Sequence, residues 1–111
     1  MFSDDRPIYR QIRDRIIDRI LTLGDGAILP SVRVLAADAG VNPLTVAKAY
    51  QDLQTSDLVR ARKGVGLFAA DGAVNRLLTA ERENFLNEEW PRVRARITRL
   101  GLDAADLLAD A

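Results

Sequence analysis

The sequence contains no cysteine and no histidine, and among its 111 residues only one tryptophan, two tyrosines and three phenylalanines. Without thiol or imidazole groups it has no thiolate or imidazole metal site, no Ser-His-Asp triad and no cysteine nucleophile. Most hydrolase and transferase chemistries lose their essential group, so neither an enzyme nor a cofactor or metal is expected. Disulfides and cysteine redox sensing are excluded. Long apolar runs are missing as well, since no stretch approaches the roughly 18 residues a membrane span needs. Residues Met1 to Arg6 show neither the basic start nor the apolar run of a signal peptide, and a cytoplasmic protein is expected. A chain of this length holds one small domain with an appendage, not a large effector-binding domain.

Charge of one sign is also lacking. Sixteen basic and sixteen acidic side chains cancel, which by itself counts against a nucleic-acid binder. Locally, however, Arg60, Arg62 and Lys63 gather beside Gly64 and Gly66. The hydrophobic fraction of 48% and charged fraction of 29% describe an ordinary globular chain, neither disordered nor membrane-embedded.

Periodicity divides the chain into short elements. Ile8, Tyr9, Ile12, Ile16, Ile17, Ile20, Leu21 and Leu23 recur at helical spacing between Pro7 and Gly24, predicting a helix over 7–23. A turn at Gly24-Asp25-Gly26 leads to a short strand over 27–29 before Pro30. Ser31 is placed as an N-cap for a two-turn helix with Val32, Leu35, Ala36 and Ala39 inward, closed by Gly40. Asn42 and Pro43 read as N-cap and first residue of a third helix, with Val46, Ala49, Tyr50 and Leu53 inward. Two short helices joined by a Gly-containing turn form a helix-turn-helix. Leu58 and Val59 through Arg62, a tight turn over Lys63 to Gly66, and Leu67 to Ala70 complete a hairpin. The expected fold is therefore mainly α with a small β-hairpin: a winged helix-turn-helix over 1–70, followed by a helical tail over 71–111.

Helix N-termini offer free backbone N–H groups and a positive dipole end, and the start of the second helix in such a unit reaches base edges. Ser31, Arg33, Asn42, Pro43, Leu44, Thr45 and Lys48 are the candidates there, although Ser31 and Asn42 would cap their helices with or without DNA. In the hairpin, Arg62, Lys63 and Gly64 combine phosphate-neutralising charge with a turn able to approach a groove closely. As a nucleotide-phosphate loop the G-x-G is weak, lacking the rest of either fingerprint.

In the tail, Val74, Leu77, Leu78, Phe85, Leu86, Trp90, Val93, Ile97 and Leu100 recur at steps of three and four, predicting a long amphipathic helix that Pro91 kinks or interrupts. Gly101 and Asp103 signal a last short helix carrying Leu107 and Leu108. A stripe this apolar needs a partner. Leu77, Leu78, Phe85, Leu86, Trp90, Val93, Ile97 and Leu100 are thus candidate dimerisation residues, folding back on the winged domain being the alternative. Glu88 and Glu89 are helix neighbours that share no face, a poor acid/base pair.

Four segments carry a family resemblance: Pro7-Ile8-Tyr9-Arg10-Gln11-Ile12, Leu29-Pro30-Ser31-Val32-Arg33-Val34-Leu35-Ala36, Val41-Asn42-Pro43-Leu44-Thr45-Val46-Ala47-Lys48-Ala49-Tyr50 and Gly64-Val65-Gly66-Leu67-Phe68. Together they resemble the DNA-binding domain of the GntR family of bacterial transcription regulators, and the short helical tail resembles its YtrA subfamily. The resemblance implies that Arg33 contacts operator DNA, that Asn42 to Lys48 begin the recognition helix and that Lys63-Gly64 form the wing tip. It further implies a tail whose helices are exchanged between two subunits, and repression by blocking promoters, often of transporter genes.

Three departures stand out. Ser56-Asp57 replaces Glu-Gly, which forces Asp57 into the left-handed helix-ending conformation. Leu67 stands where Thr or Tyr is common, and Asp25 where Pro is; slightly weaker loops are expected at these positions. The expected function is a homodimeric regulator on an inverted-repeat operator, with recognition helices in successive major grooves about 34 Å apart. The alternative is a winged-helix module for protein association. No convergent polar set marks a small-molecule effector site.

Overall fold

The computed structural model describes residues 7–109. The expectation about the first six residues lies outside the described residues. Helix α1 (Ile8–Leu23) leads into β1 (Ile28–Leu29), α2 (Val32–Ala39), α3 (Pro43–Thr55) and the strands β2 (Val59–Arg62) and β3 (Gly66–Ala69). The tail comprises α4 (Ala73–Asn84), a π-helical turn (Phe85–Glu89), α5 (Trp90–Arg99) and α6 (Ala104–Ala109). Helix, strand, helix, helix and hairpin in this order make the expected winged helix-turn-helix.

Its core follows from the spacing of apolar residues. Ile12, Ile16 and Ile20 fall one turn apart on α1 and are buried against Val46, Ala49, Tyr50 and Leu53 of α3. Each fully buried isoleucine contributes about 1.5–3 kcal/mol relative to leaving it exposed. The three-stranded antiparallel sheet, in the order β1-β3-β2, closes one side. Leu29 pairs with Leu67 on the inward face of the sheet and Ile28 with Phe68 on the opposite one. Leu29, Val59 and Ala69 are buried, whereas Ile28 is exposed.

Two compact units make up the chain, the first ending at Leu77 and the second beginning at Leu78. The first five residues of α4 therefore belong with the winged helix. Ala73 and Leu77 explain this, because both are buried in its core. Asp25 adds a polar tie: its carboxylate accepts the backbone N–H of Gly72 at 2.7 Å and of Val74 at 3.0 Å, acting as the N-cap of α4. These bonds from Val74 and Gly72 hold the Asp25 carboxyl below its ordinary value of 3.8.

Asp57 adopts φ +60°, the one positive φ of a non-glycine residue among the described residues. Leu58 N–H donates to the Leu53 carbonyl at 2.9 Å and Asp57 N–H to Gln54 at 3.1 Å, a Schellman ending with aspartate in the glycine position. Gly40 ends α2 in the same way at φ +68°.

In the second unit the proline expected to interrupt the tail is accommodated by a local change of winding. Trp90 N–H bonds back to the Phe85 carbonyl five residues earlier, and this wider turn gives the Pro91 ring room where an α-turn would place a carbonyl against it. The rings of Phe85 and Trp90 then lie 6.4 Å apart. Gly101 closes α5 at φ +70°, and Asp103 caps α6 through a 2.8 Å bond from Ala105 N–H.

Candidate nucleic-acid interface

The two helix starts are built by their own side chains. Ser31, in extended conformation after Pro30, accepts the Val34 N–H on Oγ at 3.2 Å and so opens α2. Asn42 accepts the Leu44 N–H on Oδ1 at 2.8 Å, with Pro43 as the first helical residue of α3. Each cap satisfies one of the N–H groups that a helix start leaves free, and the remaining ones stay directed outward. The Gly40 turn joins the end of α2 to the start of α3, and Val41 N–H, donating to the Ala36 carbonyl at 3.1 Å, locks it.

A second tether comes from Tyr50. Its hydroxyl donates to the carbonyl of Pro30, joining the middle of α3 to the residue that precedes the α2 cap. Burial pushes the Tyr50 phenol up to about 12, so it stays a neutral donor at physiological pH.

Around this frame the candidate contact residues are open to solvent. Ser31, Arg33, Asn42, Pro43, Leu44 and Lys48 are exposed and Thr45 is half-buried. Leu44 is 76% exposed at the very start of α3, an unusual place for a leucine. Val34, 52% exposed at the start of α2, joins it. Apolar groups at such positions suit thymine methyls. Val34 is missed by sequence reasoning, because it lies outside the apolar face defined by Val32, Leu35, Ala36 and Ala39. Lys48 carries a further surprise: its Nζ lies 5.1 Å from the centre of the Tyr9 ring. This cation–π contact joins α3 to the start of α1 and restricts where the charge can reach.

The hairpin is formed by pairing Arg60 with Phe68 and Arg62 with Gly66. Its tip closes through a Val65 N–H to Arg62 carbonyl bond of 3.0 Å, and the third turn residue, Gly64, takes φ +78°. Arg62, Lys63 and Gly64 are exposed. The Arg62 guanidinium stands 5.4 Å over the Phe68 ring, which fixes the side chain while leaving its charge in solvent.

In the tail, Phe85, Leu86, Val93 and Leu100 are 44–60% exposed, while Leu78, Trp90 and Ile97 are half-buried. Leu77, expected among them, is only 8% exposed and packs inside the winged unit. It therefore leaves the dimerisation set. Leu102, Leu107 and Leu108 are exposed at 48–73% and extend the apolar surface beyond the expected residues. No helix among the described residues is long and apolar enough to cross a membrane.

Comparison with known proteins places this geometry. The family of bacterial regulatory proteins named gntR matches residues 5–68. YhcF of Bacillus subtilis strain 168, an uncharacterized HTH-type transcriptional regulator, is 39% identical over 74 residues, covering 65% of this chain and 61% of its own. The HTH-type transcriptional repressor YtrA of the same organism is 35% identical over 74 residues, covering 65% and 57% respectively. The chain thus aligns with less than two thirds of the length of these relatives. A GntR family transcriptional regulator from Listeria monocytogenes superposes with a TM-score of 0.75 at 27% identity, covering 97% of this chain and 95% of that one.

Proposed function

The chain belongs to the GntR family of bacterial regulatory proteins, and we propose that it is a cytoplasmic, non-enzymatic transcription regulator that binds double-stranded operator DNA as a homodimer. The observation that carries this reading is the two helix starts of the helix-turn-helix, capped by Ser31 and Asn42 and exposing Arg33, Leu44 and Lys48. In this reading the N-terminal residues of α3 enter a major groove, with Asn42, Pro43, Leu44, Thr45 and Lys48 at or near base edges. Ser31 and Arg33 contact the adjoining backbone or a guanine. Arg62, Lys63 and Gly64 at the wing neutralise flanking phosphates. Residues 1–70 form the DNA-binding part and the tail dimerises through Leu78, Phe85, Leu86, Trp90, Val93, Ile97 and Leu100. Regulation is then by occupancy, a bound dimer blocking a promoter.

Selection of fragmented genomic DNA by the purified protein at about 0.15 M salt tests the reading, since specific sites survive salt that weakens phosphate contacts. Enrichment of a few promoter fragments sharing an inverted repeat is expected. Binding that fades evenly over all fragments as salt rises would contradict it and favour a protein-association role for the winged helix.

A further inference from the structure

We propose that Tyr9 is a positioning residue for DNA binding: its ring holds the Lys48 ammonium on the α1 side of α3, where it grips a backbone phosphate rather than a base edge. The inference deepens the DNA-binding reading above and rests on it.

Lys48 lies in the second turn of α3, one turn after Leu44 and Thr45. Its side chain is a compact charge on a flexible four-carbon stem, and an unrestrained stem would sweep that charge over the floor and the walls of a groove alike. The restraint comes from the neighbouring helix. Lys48 Nζ stands 5.1 Å from the centre of the Tyr9 ring, within the range in which a ring face attracts a cation. Tyr9 is itself held in place: half-buried as the second residue of α1, it packs against the core that α1 and α3 share.

The surroundings of the ring favour phosphate. Tyr9 lines a surface groove with Arg10, Arg13 and Asp14, among the described residues two guanidinium groups against one carboxylate. The edge to which Lys48 is drawn is therefore positive. In the reading above, the first turn of α3 meets base edges, whereas a helix packed beside the recognition helix faces the backbone along the groove. An ammonium has three donors. With one side against the ring, the N–H groups on its other side are directed to a phosphate oxygen, so that ring and phosphate hold the cation between them. Such a contact sets the register of the protein on the duplex without reading sequence.

Full-length wild type, Tyr9→Phe, Tyr9→Leu, Lys48→Met and the double variant Tyr9→Leu/Lys48→Met are titrated over a range of salt with a duplex carrying one selected half-site and with a random duplex. Lys48→Met should weaken both duplexes alike, by roughly three- to tenfold, and lower the salt slope by about one per half-site. Tyr9→Leu should weaken both by about two- to fivefold, and Tyr9→Phe, which keeps the ring, by less than about 1.5-fold. With Lys48→Met in place, Tyr9→Leu should add less than about 1.5-fold, because the ring then has no cation to hold.

Equal losses from Tyr9→Leu with and without Lys48 mark a purely structural role and overturn the proposal. Tighter binding by Tyr9→Leu overturns it as well, since the ring would then draw the charge away from DNA. A Tyr9→Phe loss as large as that of Tyr9→Leu would assign the effect to the hydroxyl, against the role given to the ring. Lys48→Met that weakens the half-site duplex alone makes Lys48 a base reader, and one that weakens neither removes it from the interface; both overturn this inference and leave the DNA-binding reading intact. Wild type that binds neither duplex overturns that reading and this inference with it.

Discussion

The hydroxyl of Tyr50 donates to the backbone carbonyl of Pro30, linking the core-facing side of α3 to the residue just before the α2 cap. The pair connects packing to presentation, because Tyr50 is 2% exposed while the Ser31 cap it steadies is at the surface. Tyr50→Phe keeps the ring and removes the bond. It should lower stability by about 0.5–1.5 kcal/mol in urea unfolding, with DNA affinity falling by less than about threefold. Unchanged stability would show that the bond is replaced by solvent.

Arg33 is exposed one residue into α2. If it reads a base, Arg33→Ala costs about 1–3 kcal/mol of specific binding; if it touches phosphate, affinity falls for all sequences and the salt slope drops by about one. Salt-dependent titrations with specific and random duplexes separate these outcomes. Unchanged affinity and slope would remove Arg33 from the interface.

Asp57 pays a conformational cost at φ +60° that glycine would not. Asp57→Gly should stabilise the protein by about 0.5 kcal/mol, the gain from a relaxed left-handed residue exceeding the added freedom of the unfolded chain. The Arg76 bonds go to the Asp57 carbonyl and survive the substitution. Destabilisation measured by chemical unfolding would mean that the carboxylate itself contributes.

Features specified by neighbours in sequence were legible before the structure: the Ser31 and Asn42 caps and the Gly40 ending depend on chemistry within a few residues, while the left-handed Asp57 was implied by the family resemblance. What escaped depends on distance. Asp25 looks like an unfavourable turn residue until its partners at 72 and 74 are brought to it by the closure of the sheet. Lys48 looks like a free charge until α1 packs on α3 and places Tyr9 beneath it. Leu77 shares the periodicity of the tail stripe, and periodicity cannot say which core a stripe joins. Pro91 announced an interruption of the helix, whereas its form, a π-helical turn over Phe85–Glu89, depends on how the preceding residues rewind.

That placement of Leu77 also changes where the tail should be cut. Removing residues from 72 onward would strip Asp25 of its partners and take Ala73 and Leu77 out of the core. A chain ending at Leu78 should keep the winged fold, sediment as a monomer and bind an inverted repeat roughly tenfold or more weakly than the full chain. A dimer after this truncation would refute the role assigned to the tail.

Hydroxyl-radical footprinting on an enriched inverted repeat tests the central claim most directly. Two protected patches related by a two-fold axis are predicted, their centres one helical turn, about 34 Å, or a whole multiple of it apart. A single patch, or uniform protection along the fragment, would contradict a homodimer reading successive major grooves.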